Sequence, residues 1–502
     1  MRVVAVLAAL ALVNPASVQA KGPSLVQVPA TTQAQRAEVA SWGMEIVDAE
    51  KDSLTIAVQP DRHATPRVLR RLSQIDGVKV VAEDVDELLR HAAQRAGGVG
   101  AYHTYETAQQ ELKDLASRYP ALASVQSIGK SIEGRDVGVL KITGSDSAAW
   151  GKPVFLFMGC HHAREWISVE VPLAIAHMLL DGYATDASIK KLVDSREIWI
   201  CPVVNPDGLN WSQTNYRYWR KNRHVNADGT FGVDPNRNYG YKWGVSGDSD
   251  EPDSDVYHGT GAFSEPEVQN VRDFATAHLL TADISYHSYG EHVLFPYSYG
   301  YDQAPDNDKF AVWAKGMADQ NAYLPHQSVD LYPSSGDTDD FLYMGTGSAS
   351  FTTELARTFI PEDSEIPGIC DVNCKAVRYM LDACADPFPY MKHTPPAANA
   401  GPLSVTAQFD RAHHPVFNPT EVKLVVTSGN TVQEIPMAAD ASNPDSYTVN
   451  VPGLTGASEP VQYFIGLKDK DGRAVRSPRL GTYTVGGRRA LPASNLLQLT
   501  GF

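Results

Sequence analysis

The sequence predicts an α/β protein in which a largely parallel sheet is flanked by helices. Short apolar runs that are typical of buried strands alternate with helical periodicity between about residues 102 and 392. The region before it has the pattern of a small α+β unit, and the region after it has short alternating runs and turns, which indicate a β-sandwich. A chain of 502 residues has room for about three such units.

The N-terminus has the pattern of a secretory signal peptide, which we assign to residues 1–20. Arg2 precedes an apolar run from Val3 to Val13, and Val18-Gln19-Ala20 supplies the small residues of a cleavage site. The run is shorter than the roughly 20 residues of a membrane anchor, and no later stretch is apolar for long enough to span a bilayer. We therefore expect an exported protein, extracellular or periplasmic, without a membrane span.

Residues 21–98 form the predicted α+β unit. Its strand-like stretches are Met44–Val47, Leu54–Val58 and Val78–Val81, and its helical stretches are Pro66–Gln74 and Asp84–Arg95. The unit ends in a basic residue and a glycine-rich stretch, from Arg95 to Gly100. Proteases cut preferentially in exposed segments with small residues, so this segment is the expected cleavage site.

Residues 99–392 carry the alternation of strands and helices. The predicted strands are Val137–Thr143, Val154–Met158, Ile198–Val204, Ala282–His287 and Ser350–Leu355. The predicted helices are Tyr105–Tyr119, Ile167–Leu180, Glu265–Leu280, Asn307–Gln320 and Lys375–Phe388. Active sites of parallel sheets form where strands end and loops begin, so polar residues that follow these strands are the first candidates for function.

A proline-rich linker, residues 393–402, precedes the predicted β-sandwich of residues 403–502. The predicted strands of the sandwich are Ser404–Phe409, Glu421–Val426, Tyr447–Val451, Val461–Leu467 and Thr482–Val485.

The composition excludes several classes of protein. The chain has 43 Lys and Arg residues against 59 Asp and Glu residues, a formal net charge of −16. Nucleic acids and anionic membranes attract proteins with basic surfaces, so neither is an expected partner. With 43% hydrophobic and 20% charged residues, the chain has the composition of a folded protein rather than a disordered one.

Five cysteines occur in this exported chain, and an odd number leaves at least one of them unpaired. Cys370, Cys374 and Cys384 lie close together in sequence and are expected to supply one local disulfide. A zinc site built from these thiols is the weaker alternative, because neither a histidine nor a fourth cysteine stands at suitable spacing. Cys160 and Cys201 lie in or beside apolar runs and are expected to be buried free thiols.

The sharpest local pattern follows the predicted strand Val154–Met158. His162 and Glu165 are three residues apart, so a helical turn or a tight loop places the imidazole and the carboxylate on the same side. This spacing suits two ligands of a zinc ion that takes a third protein ligand from elsewhere and leaves a fourth position for water. The alternative is a surface ion pair with Arg164.

His287 ends the predicted strand Ala282–His287 and is the expected third ligand. Parallel strands that lie side by side bring such ends together, although a lone histidine at a strand end is also compatible with a structural role. His161 and His292 are rival candidates, but the position at a strand end favours His162 and His287.

Six segments together resemble the ordered motifs of the zinc metallocarboxypeptidases, peptidase family M14, which comprise the carboxypeptidase A/B type and secreted bacterial relatives such as carboxypeptidase T. The segments are His162–Trp166, Asn205–Gly208, Tyr218–Lys221, Asn236–Asn238, His287–Tyr289 and Thr353–Leu355. The resemblance covers about residues 102–392. It implies a mixed eight-stranded sheet, one Zn²⁺ ion per catalytic domain, and hydrolysis of the C-terminal bond of peptides and proteins.

The resemblance implies roles for two further residues. Glu354 is expected to take a proton from water and to pass it to the leaving amine, and Arg220 to stabilise the developing oxyanion. The residues alone leave other interpretations open. Glu354 could pair with Arg357, and Arg220 lies in a basic run that could form a solvated face.

Recognition of a free C-terminal carboxylate falls to Asn236 and Arg237, since a guanidinium binds a carboxylate in a bidentate manner and an amide adds a donor. Tyr332 matches the family's mobile tyrosine that closes over this carboxylate, with Tyr343 as the competing candidate. Arg164 is expected to contribute a subsite contact. Tyr289 is also counted among the substrate-binding residues.

The resemblance places Asp339 where carboxypeptidase B types carry an acidic specificity residue. A buried carboxylate there favours C-terminal Lys or Arg as its counter-charge. Asp337 and Asp340 flank it, which makes the pocket unusually acidic or able to bind an ion. Because relatives of the bacterial type also accept apolar residues, we expect a preference for basic residues and keep dual specificity open.

By the same resemblance, residues 21–98 are a propeptide that covers the cleft until an activating protease cuts near Arg95–Gly100. We expect a monomer. Calcium sites are plausible in the acidic segment Asp248–Asp255 but are not assigned. Two other functions remain alternatives to a carboxypeptidase. One is an endopeptidase or amidase that has the same fold and acts on cell-wall peptides, and the other is a non-catalytic binding protein that acts through the C-terminal domain.

Overall fold

The computed structural model describes residues 23–59, 65–82, 99–144, 149–396, 403–428, 431–451 and 461–485. Three predictions concern segments outside these ranges, wholly or for the most part. They are the signal peptide (residues 1–20), the helix Asp84–Arg95 and the cleavage segment Arg95–Gly100, and all three stay predictions.

The N-terminal unit is an antiparallel sheet with two helices. Its elements are β1 (Ser24–Pro29), α1 (Gln33–Ala40), β2 (Ile46–Glu50), β3 (Ser53–Val58), α2 (Thr65–Leu72) and β4 (Lys79–Ala82), and the strand order is β2-β3-β1-β4. Trp42, Leu54, Ile56 and Val68 are fully buried in its core. The α+β architecture was predicted, but β1 and α1 were not.

The central region contains eight strands and most of the helices. In chain order the elements are α3 (Tyr105–Arg118), β5 (Ala123–Lys130), β6 (Asp136–Ile142), β7 (Val154–Gly159), α4 (Ile167–Gly182), α5 (Ala187–Ser195), β8 (Glu197–Cys201), α6 (Pro206–Thr214), α7 (Pro266–His278), β9 (Ala282–Ser288), β10 (His292–Phe295), α8 (Asn307–Asn321), β11 (Leu324–Gln327), α9 (Thr338–Phe341), β12 (Ala349–Leu355) and α10 (Ile366–Ala383). Short 3₁₀ turns lie at Pro235–Arg237 and Ser328–Asp330, and a π-helical turn at Leu342–Thr346.

These strands form one mixed sheet in the order β11-β10-β12-β9-β7-β8-β6-β5. The four central strands β12, β9, β7 and β8 run parallel to one another. Their carboxyl ends therefore lie at one edge of the sheet, where the polar residues that follow β7 and β9 can meet. The eight-stranded mixed sheet is the fold that the resemblance implied.

Helices cover both faces of this sheet, which is why the central strands β7 and β8 are nearly continuous apolar runs. In β7, Phe155 and Phe157 face a core shared with α3, α4, α8 and α10, whereas Leu156 and Met158 face a core shared with α7. All six residues of β7 are buried.

The expected local disulfide is wrong: all five cysteines lie in the described part of the chain, and all are free thiols. Cys370 and Cys374 lie one turn apart in α10, where Cβ atoms are about 5–6 Å apart. A disulfide needs Cβ atoms at roughly 3.5–4.5 Å. Cys384 follows ten residues after Cys374, about 15 Å further along the helix axis at a rise of about 1.5 Å per residue. The predicted buried free thiols at Cys160 and Cys201 are present.

The C-terminal region is built from two small sheets. Its strands are β13 (Met391–Lys392), β14 (Leu403–Phe409), β15 (Pro419–Ser428), β16 (Thr431–Pro436), β17 (Ala438–Ala439), β18 (Ser446–Val451), β19 (Val461–Asp469), β20 (Ala474–Ser477) and β21 (Tyr483–Val485). One sheet has the order β13-β14-β18-β17, and the other has the order β16-β15-β19-β20, with β21 on β19. Val405, Leu424 and Ile465 belong to one core between the sheets, which agrees with the predicted sandwich.

Within the described ranges, no single helix has the length and apolar character to cross a bilayer. The pair α4 and α5 meets those two criteria only when both helices are taken together, and they meet at an angle of 110°.

Candidate active site

The site lies at the carboxyl ends of β7, β9 and β12. The chain turns sharply after Gly159, the last residue of β7, where a Cβ atom would come within 1.9 Å of the Ser168 carbonyl oxygen. The missing side chain lets the start of α4 approach the strand, and the turn before α4 carries His162 and Glu165. On the neighbouring strands, His287 of β9 lies in register with Glu354 of β12. Four polar residues from distant parts of the sequence thus lie at one edge.

His162, Glu165 and His287 converge on one point. The Nδ1 atoms of the two imidazoles are 3.0 Å apart, and the two carboxylate oxygens lie 2.7 Å from His162 Nδ1 and 3.0 Å from His287 Nδ1. All three residues are at least 96% buried. The predicted set is therefore one cluster, and the alternative surface ion pair between Glu165 and Arg164 is wrong.

This cluster fits a zinc ion. Two imidazole nitrogens and one carboxylate form a known set of three protein ligands for catalytic zinc. The two facing Nδ1 atoms are close enough for a shared partner between them, which a metal ion supplies. Although burial raises the pKa of Glu165, the two imidazoles lower it well below its usual value, so the carboxylate is ionised as a metal ligand requires.

Each imidazole is oriented through its other ring nitrogen. His162 Nε2 lies 3.2 Å from the Asp234 carboxylate, and His287 Nε2 lies 3.0 Å from the Ser285 hydroxyl. Such outer contacts fix the tautomer and the orientation of metal-binding histidines. Although burial acts in the opposite direction, Arg220 and His162 lower the pKa of Asp234 well below its usual value.

The rival histidines lie outside the cluster. His161 is fully buried, and its ring nitrogens contact the Tyr239 hydroxyl at 2.9 Å and the Ser285 hydroxyl at 3.2 Å. His292 Nδ1 lies 3.0 Å from Nε2 of His326 on the adjacent strand.

Arg220 is buried beside the three residues rather than in a solvated face. Its Nε and Nη2 donate to Asp234 Oδ2 at 3.0 and 2.8 Å, and Nη1 lies 4.0 Å from Glu165 Oε1. The guanidinium is thereby held next to the metal-binding cluster with its orientation fixed by one carboxylate.

The N-terminal unit inserts an acidic side chain into this arrangement. Glu45 is 4% exposed, and its carboxylate accepts from Arg164 Nη1 at 2.9 Å and from Arg220 Nη1 at 3.3 Å. Arg164 also covers the ring of Phe359, with 4.1 Å between the guanidinium carbon and the ring centroid.

Glu354 does not pair with Arg357, whose Nε instead donates to Glu291 at 2.9 Å. Among the described residues, the buried Oε2 of Glu354 has no hydrogen-bond partner. Burial and the nearby Glu165 raise the pKa of Glu354, and the charge of Arg220 acts in the opposite direction. A carboxylate with a free lone pair at the cleft is suited to exchanging a proton with a ligand there.

Asn236 and Arg237 lie in the short turn that follows Asp234. The Asn236 side-chain oxygen accepts from the Thr338 backbone N–H at 3.0 Å, and Arg237 Nε donates to the Gly247 carbonyl at 2.9 Å. Both residues line a pocket that also contains Tyr332 and Glu354.

Tyr332 is partly buried between the cleft and the N-terminal unit. Burial raises the pKa of its hydroxyl, whereas the neighbouring Arg237 and Arg220 act to lower it. Its ring packs against the core of the N-terminal unit. The competing Tyr343 lies elsewhere, with its hydroxyl donating to Asp306 at 2.9 Å.

Tyr289 follows the end of β9 and lines the other part of the cleft, together with Arg164 and Phe359. Its ring meets that of Phe359 edge to face at 4.9 Å. Burial raises the pKa of Tyr289 to about 12.

Asp339 lies at the floor of the pocket that Arg237 lines. It is 1% exposed and accepts hydrogen bonds from the Ser298 and Ser328 hydroxyls at 3.1 and 2.7 Å. Carboxylate oxygens of Asp337 and Asp340 lie within 4.8 Å of it. Burial, together with the other carboxylates, raises the pKa of Asp337 and of Asp340. The predicted acidic pocket is thus a buried cluster of three carboxyl groups.

The structure gives no support for a calcium site in the segment Asp248–Asp255. Among the described residues, the two groups that could hold a metal ion are the His162 cluster and the pocket aspartates, and neither includes this segment. One of its carboxylates, Asp248, contacts His258 Nδ1 at 3.1 Å.

Two polar residues of the site were not predicted. Asp234 directly precedes Pro235 and Asn236, and an acidic residue before a proline between two functional motifs is a signal that could have been used. Glu45 reaches the cleft from a separate unit, and nothing near it in the sequence indicates a contact with Arg164.

Comparison with known proteins places the chain in one family. The family model described as zinc carboxypeptidase matches residues 108–376. A zinc carboxypeptidase of Saccharothrix mutabilis subsp. capreolus is 32% identical over 393 residues, which cover 73% of this chain and 90% of that protein. Carboxypeptidase A2 of Mus musculus is 36% identical over 299 residues, which cover 57% of this chain and 70% of the mouse protein.

A similar fold occurs in the crystal structure of carboxypeptidase A from Helicoverpa armigera. The TM-score is 0.64 at 25% identity, and the match covers 74% of this chain and 99% of that one. This share of the chain is larger than residues 99–392 could supply alone, so the structural similarity extends beyond the predicted catalytic domain.

Replacing His287 with alanine should abolish tight zinc binding, because it removes one of three protein ligands. Asp234→Asn should weaken binding by about 10–100-fold, the usual effect of losing an outer partner of a metal-binding histidine. Zinc content after dialysis against a graded series of chelator concentrations measures both effects.

The matched control is His292→Gln, which changes a histidine at the same edge of the sheet that lies outside the cluster. It should keep one zinc per chain. Equal zinc retention in the His287→Ala and His292→Gln proteins would contradict the assignment of the ligands.

Proposed function

The chain belongs to the zinc carboxypeptidase family and is a zinc metallocarboxypeptidase, and we propose that it is exported as a zymogen and removes C-terminal Lys and Arg, with apolar residues also accepted. The observation that carries the proposal is the pocket beside the metal-binding cluster. Its wall holds Arg237, and its floor holds the buried Asp339. One end can bind a carboxylate, and the other end can bind a cationic side chain.

The reaction combines the metal with two charged side chains. His162, Glu165 and His287 would hold a zinc ion, which when bound would lower the pKa of a water molecule toward neutrality and polarise the scissile carbonyl. Glu354 takes a proton from the attacking water and later delivers it to the leaving amine. Arg220, held by Asp234, stabilises the negative charge that develops on the carbonyl oxygen in the transition state.

Binding of a free C-terminus follows from the charges near the pocket. Arg237 offers guanidinium donors to the terminal carboxylate, and Asn236 adds its amide. Tyr332 lines the same pocket and closes over the bound carboxylate. A substrate with a blocked C-terminus loses the ion pair with Arg237 and is bound poorly.

Preference for basic residues follows from the pocket floor. Three buried carboxyl groups without a cation are costly, and the ammonium or guanidinium of a substrate offsets that cost. Leu294 and Leu331 line the same pocket, and this apolar surface supports acceptance of apolar side chains as well.

The zymogen proposal rests on the position of the N-terminal unit. Residues Ile46–Ala49 of β2 line the cleft together with His162 and Glu354. The Glu45 carboxylate accepts a hydrogen bond from Arg220. Arg220 is the residue that the reaction needs to stabilise the negative charge on the carbonyl oxygen. The unit is further tied down by buried Arg36, which donates from Nη1 to the Leu331 carbonyl at 2.8 Å, next to Tyr332. A substrate cannot reach the site while this unit is in place.

Paired peptides that differ only at the C-terminus test the exopeptidase activity. A peptide ending in free Arg should be hydrolysed by the cleaved enzyme, and its amidated counterpart much more slowly, because the amide cannot pair with Arg237. The Glu354→Gln enzyme should turn over the free peptide about 10²–10⁴-fold more slowly, since it lacks a proton acceptor. Steady-state kinetics with and without chelator provide the measurement. Equal rates for both peptides would instead favour an endopeptidase or amidase.

Asp339→Ile should shift the preference away from basic residues. Loss of one partner of a buried charge pair costs about 2 kcal/mol or more, so kcat/KM for a C-terminal Arg should fall by roughly 30-fold or more, while that for Leu stays similar or rises. The exposed Asp302→Asn provides a matched control with an unchanged ratio. An unchanged Arg-to-Leu ratio in the Asp339→Ile enzyme would remove Asp339 from the specificity pocket.

Glu45→Gln should raise the basal activity of the uncleaved chain, because it frees Arg164 and Arg220 from a buried counter-charge. Glu50→Gln changes an exposed carboxylate of the same unit and should leave the basal activity as it is. Hydrolysis by each uncleaved protein, compared with the same protein after proteolysis between Arg95 and Gly100, measures the release. An uncleaved wild-type chain that is already fully active would refute the zymogen proposal.

A further inference from the structure

The C-terminal sandwich lies at the edge of the central sheet opposite to the active site. Arg479 of the sandwich donates to the Thr281 hydroxyl at 3.2 Å, and Thr281 directly precedes β9. Arg473 Nη1 donates to the Thr276 carbonyl of α7 at 2.7 Å. These contacts lie at the amino ends of the strands, whereas His287 lies at the carboxyl end of β9. The sandwich therefore cannot act by covering the cleft.

A histidine of the sandwich joins the two domains. His413 Nε2 lies 2.7 Å from Asp306 Oδ2 at the start of α8, and its Nδ1 lies 2.8 Å from Asp410 Oδ2 in its own domain. An ionised carboxylate only accepts hydrogen bonds, so both ring nitrogens must carry a hydrogen. The geometry therefore requires an imidazolium between two carboxylates. The His413 side chain is 22% exposed, and those of Asp306 and Asp410 are 9% and 6% exposed.

The other charged groups around His413 leave this arrangement intact. Lys309 Nζ lies 2.8 Å from Asp306 Oδ1, and Lys392 Nζ lies 3.0 Å from Asp410 Oδ2, so each carboxylate also has a lysine ammonium group beside it. His414 is buried, with its Nε2 3.0 Å from the Phe388 carbonyl oxygen, and burial lowers its pKa to about 3, so it carries no charge at neutral pH.

Asp306 connects this contact to the specificity pocket. The Tyr343 hydroxyl donates to the same Oδ2 that His413 contacts, at 2.9 Å. Tyr343 lies in the π-helical turn Leu342–Thr346, which directly continues α9, and α9 carries Asp339 in its first turn. The pocket floor and the contact with the sandwich are therefore two ends of one short segment, residues 337–347.

Packing reinforces this connection. The rings of His413 and Phe388 stack at 4.9 Å and 11°, and Phe388 contacts Tyr343 at 5.8 Å. Gly347, at φ +82°, ends the segment, and a Cβ atom there would come within 1.8 Å of the His413 carbonyl oxygen. The sandwich thus approaches the segment through its backbone as well as through the imidazole.

We propose that His413 is a positioning residue of the specificity pocket: its imidazolium holds residues 337–347 against the C-terminal sandwich and so fixes the floor that carries Asp339. This positioning role goes beyond the proposed function. It depends on the proposed function only where it is tested by enzyme kinetics. It also assigns the sandwich a role, as a brace for the part of the catalytic domain that selects the substrate.

The proposal implies a pH dependence with a defined sign. The hydrogen bond to Asp306 raises the pKa of His413 above its ordinary value, and the bond to Asp410 adds to this effect. A group whose pKa is raised by folding contributes stability below its unfolded pKa of about 6.5 and loses it as the pH rises through the folded value. A neutral imidazole has one N–H, so one carboxylate then loses its donor and the contact weakens.

Hydrogen exchange of the full chain tests the proposal without reference to activity. In the wild-type protein, exchange of peptides that cover residues 338–347, corrected for the intrinsic effect of pH, should rise several-fold as the pH passes from 6 to 9. In His413→Gln, which can donate to only one carboxylate at a time, exchange should already be fast at pH 6 and change little with pH. If the variant folds poorly, the pH dependence of exchange in the wild-type protein still tests the proposal.

A matched control is His177→Gln in α4. His177 also lies between two carboxylates, with Nε2 2.9 Å from Glu111 and Nδ1 3.1 Å from Asp181, but its side chain is 38% exposed and far from residues 337–347 in the sequence. Exchange of residues 338–347 in this variant should match the wild type at every pH. Equal exchange in the His413→Gln and His177→Gln proteins would overturn the proposal.

Kinetics separate positioning from general destabilisation. Because the pocket floor binds the substrate side chain, His413→Gln should raise KM for a peptide ending in Arg by about three- to tenfold, with kcat within about twofold of the wild type. A lower kcat with an unchanged KM would indicate only a loss of folded enzyme and would contradict the proposal. If no carboxypeptidase activity is found at all, the proposed function fails while the exchange measurement still decides the role of His413.

Discussion

The site depends on the parallel alignment of three neighbouring strands. β7, β9 and β12 end at the same edge of the sheet, and their register sets Glu354 beside His287. All three strands are buried on both faces, and in β7 a slip of one residue would exchange side chains between two different apolar cores. The packing of apolar residues thus fixes the positions of the ligands and the base, although none of those apolar residues takes part in the chemistry.

The balance between buried arginines and carboxylates is the second constraint on the active-site edge of the sheet. Arg164 and Arg220 are buried, as is the Oε2 atom of Glu354, and isolated buried charges are costly. Asp234, in the central region, compensates Arg220, whereas Glu45 of the N-terminal unit compensates both Arg164 and Arg220. In the proposed zymogen, removal of the unit would replace these contacts with solvent and substrate, which would link activation to the same two arginines. The C-terminal sandwich contacts the opposite edge and is independent of this balance.

Sequence reasoning identified the longer buried strands of the central sheet and missed its short or exposed strands, among them the four-residue β10. The central strands β7 and β8 were predicted because both faces are apolar. β5 and β11 were not, since they are the edge strands of the sheet and expose many of their residues. Among the site residues, the ligands and Glu354 follow strand ends and could be found by position. Glu45 could not be found, because its contact joins two units that are distant in sequence, and the disulfide was wrong because helical geometry separates the thiols.

The most direct test of the central claim is an anomalous difference map at the zinc absorption edge from crystals of the zinc-loaded protein. The account predicts one strong peak per chain, with the metal about 2.0–2.2 Å from Nδ1 of His162, Nδ1 of His287 and the Glu165 carboxylate. A peak that instead lies among Asp337, Asp339 and Asp340, with none between the two histidines, would contradict it.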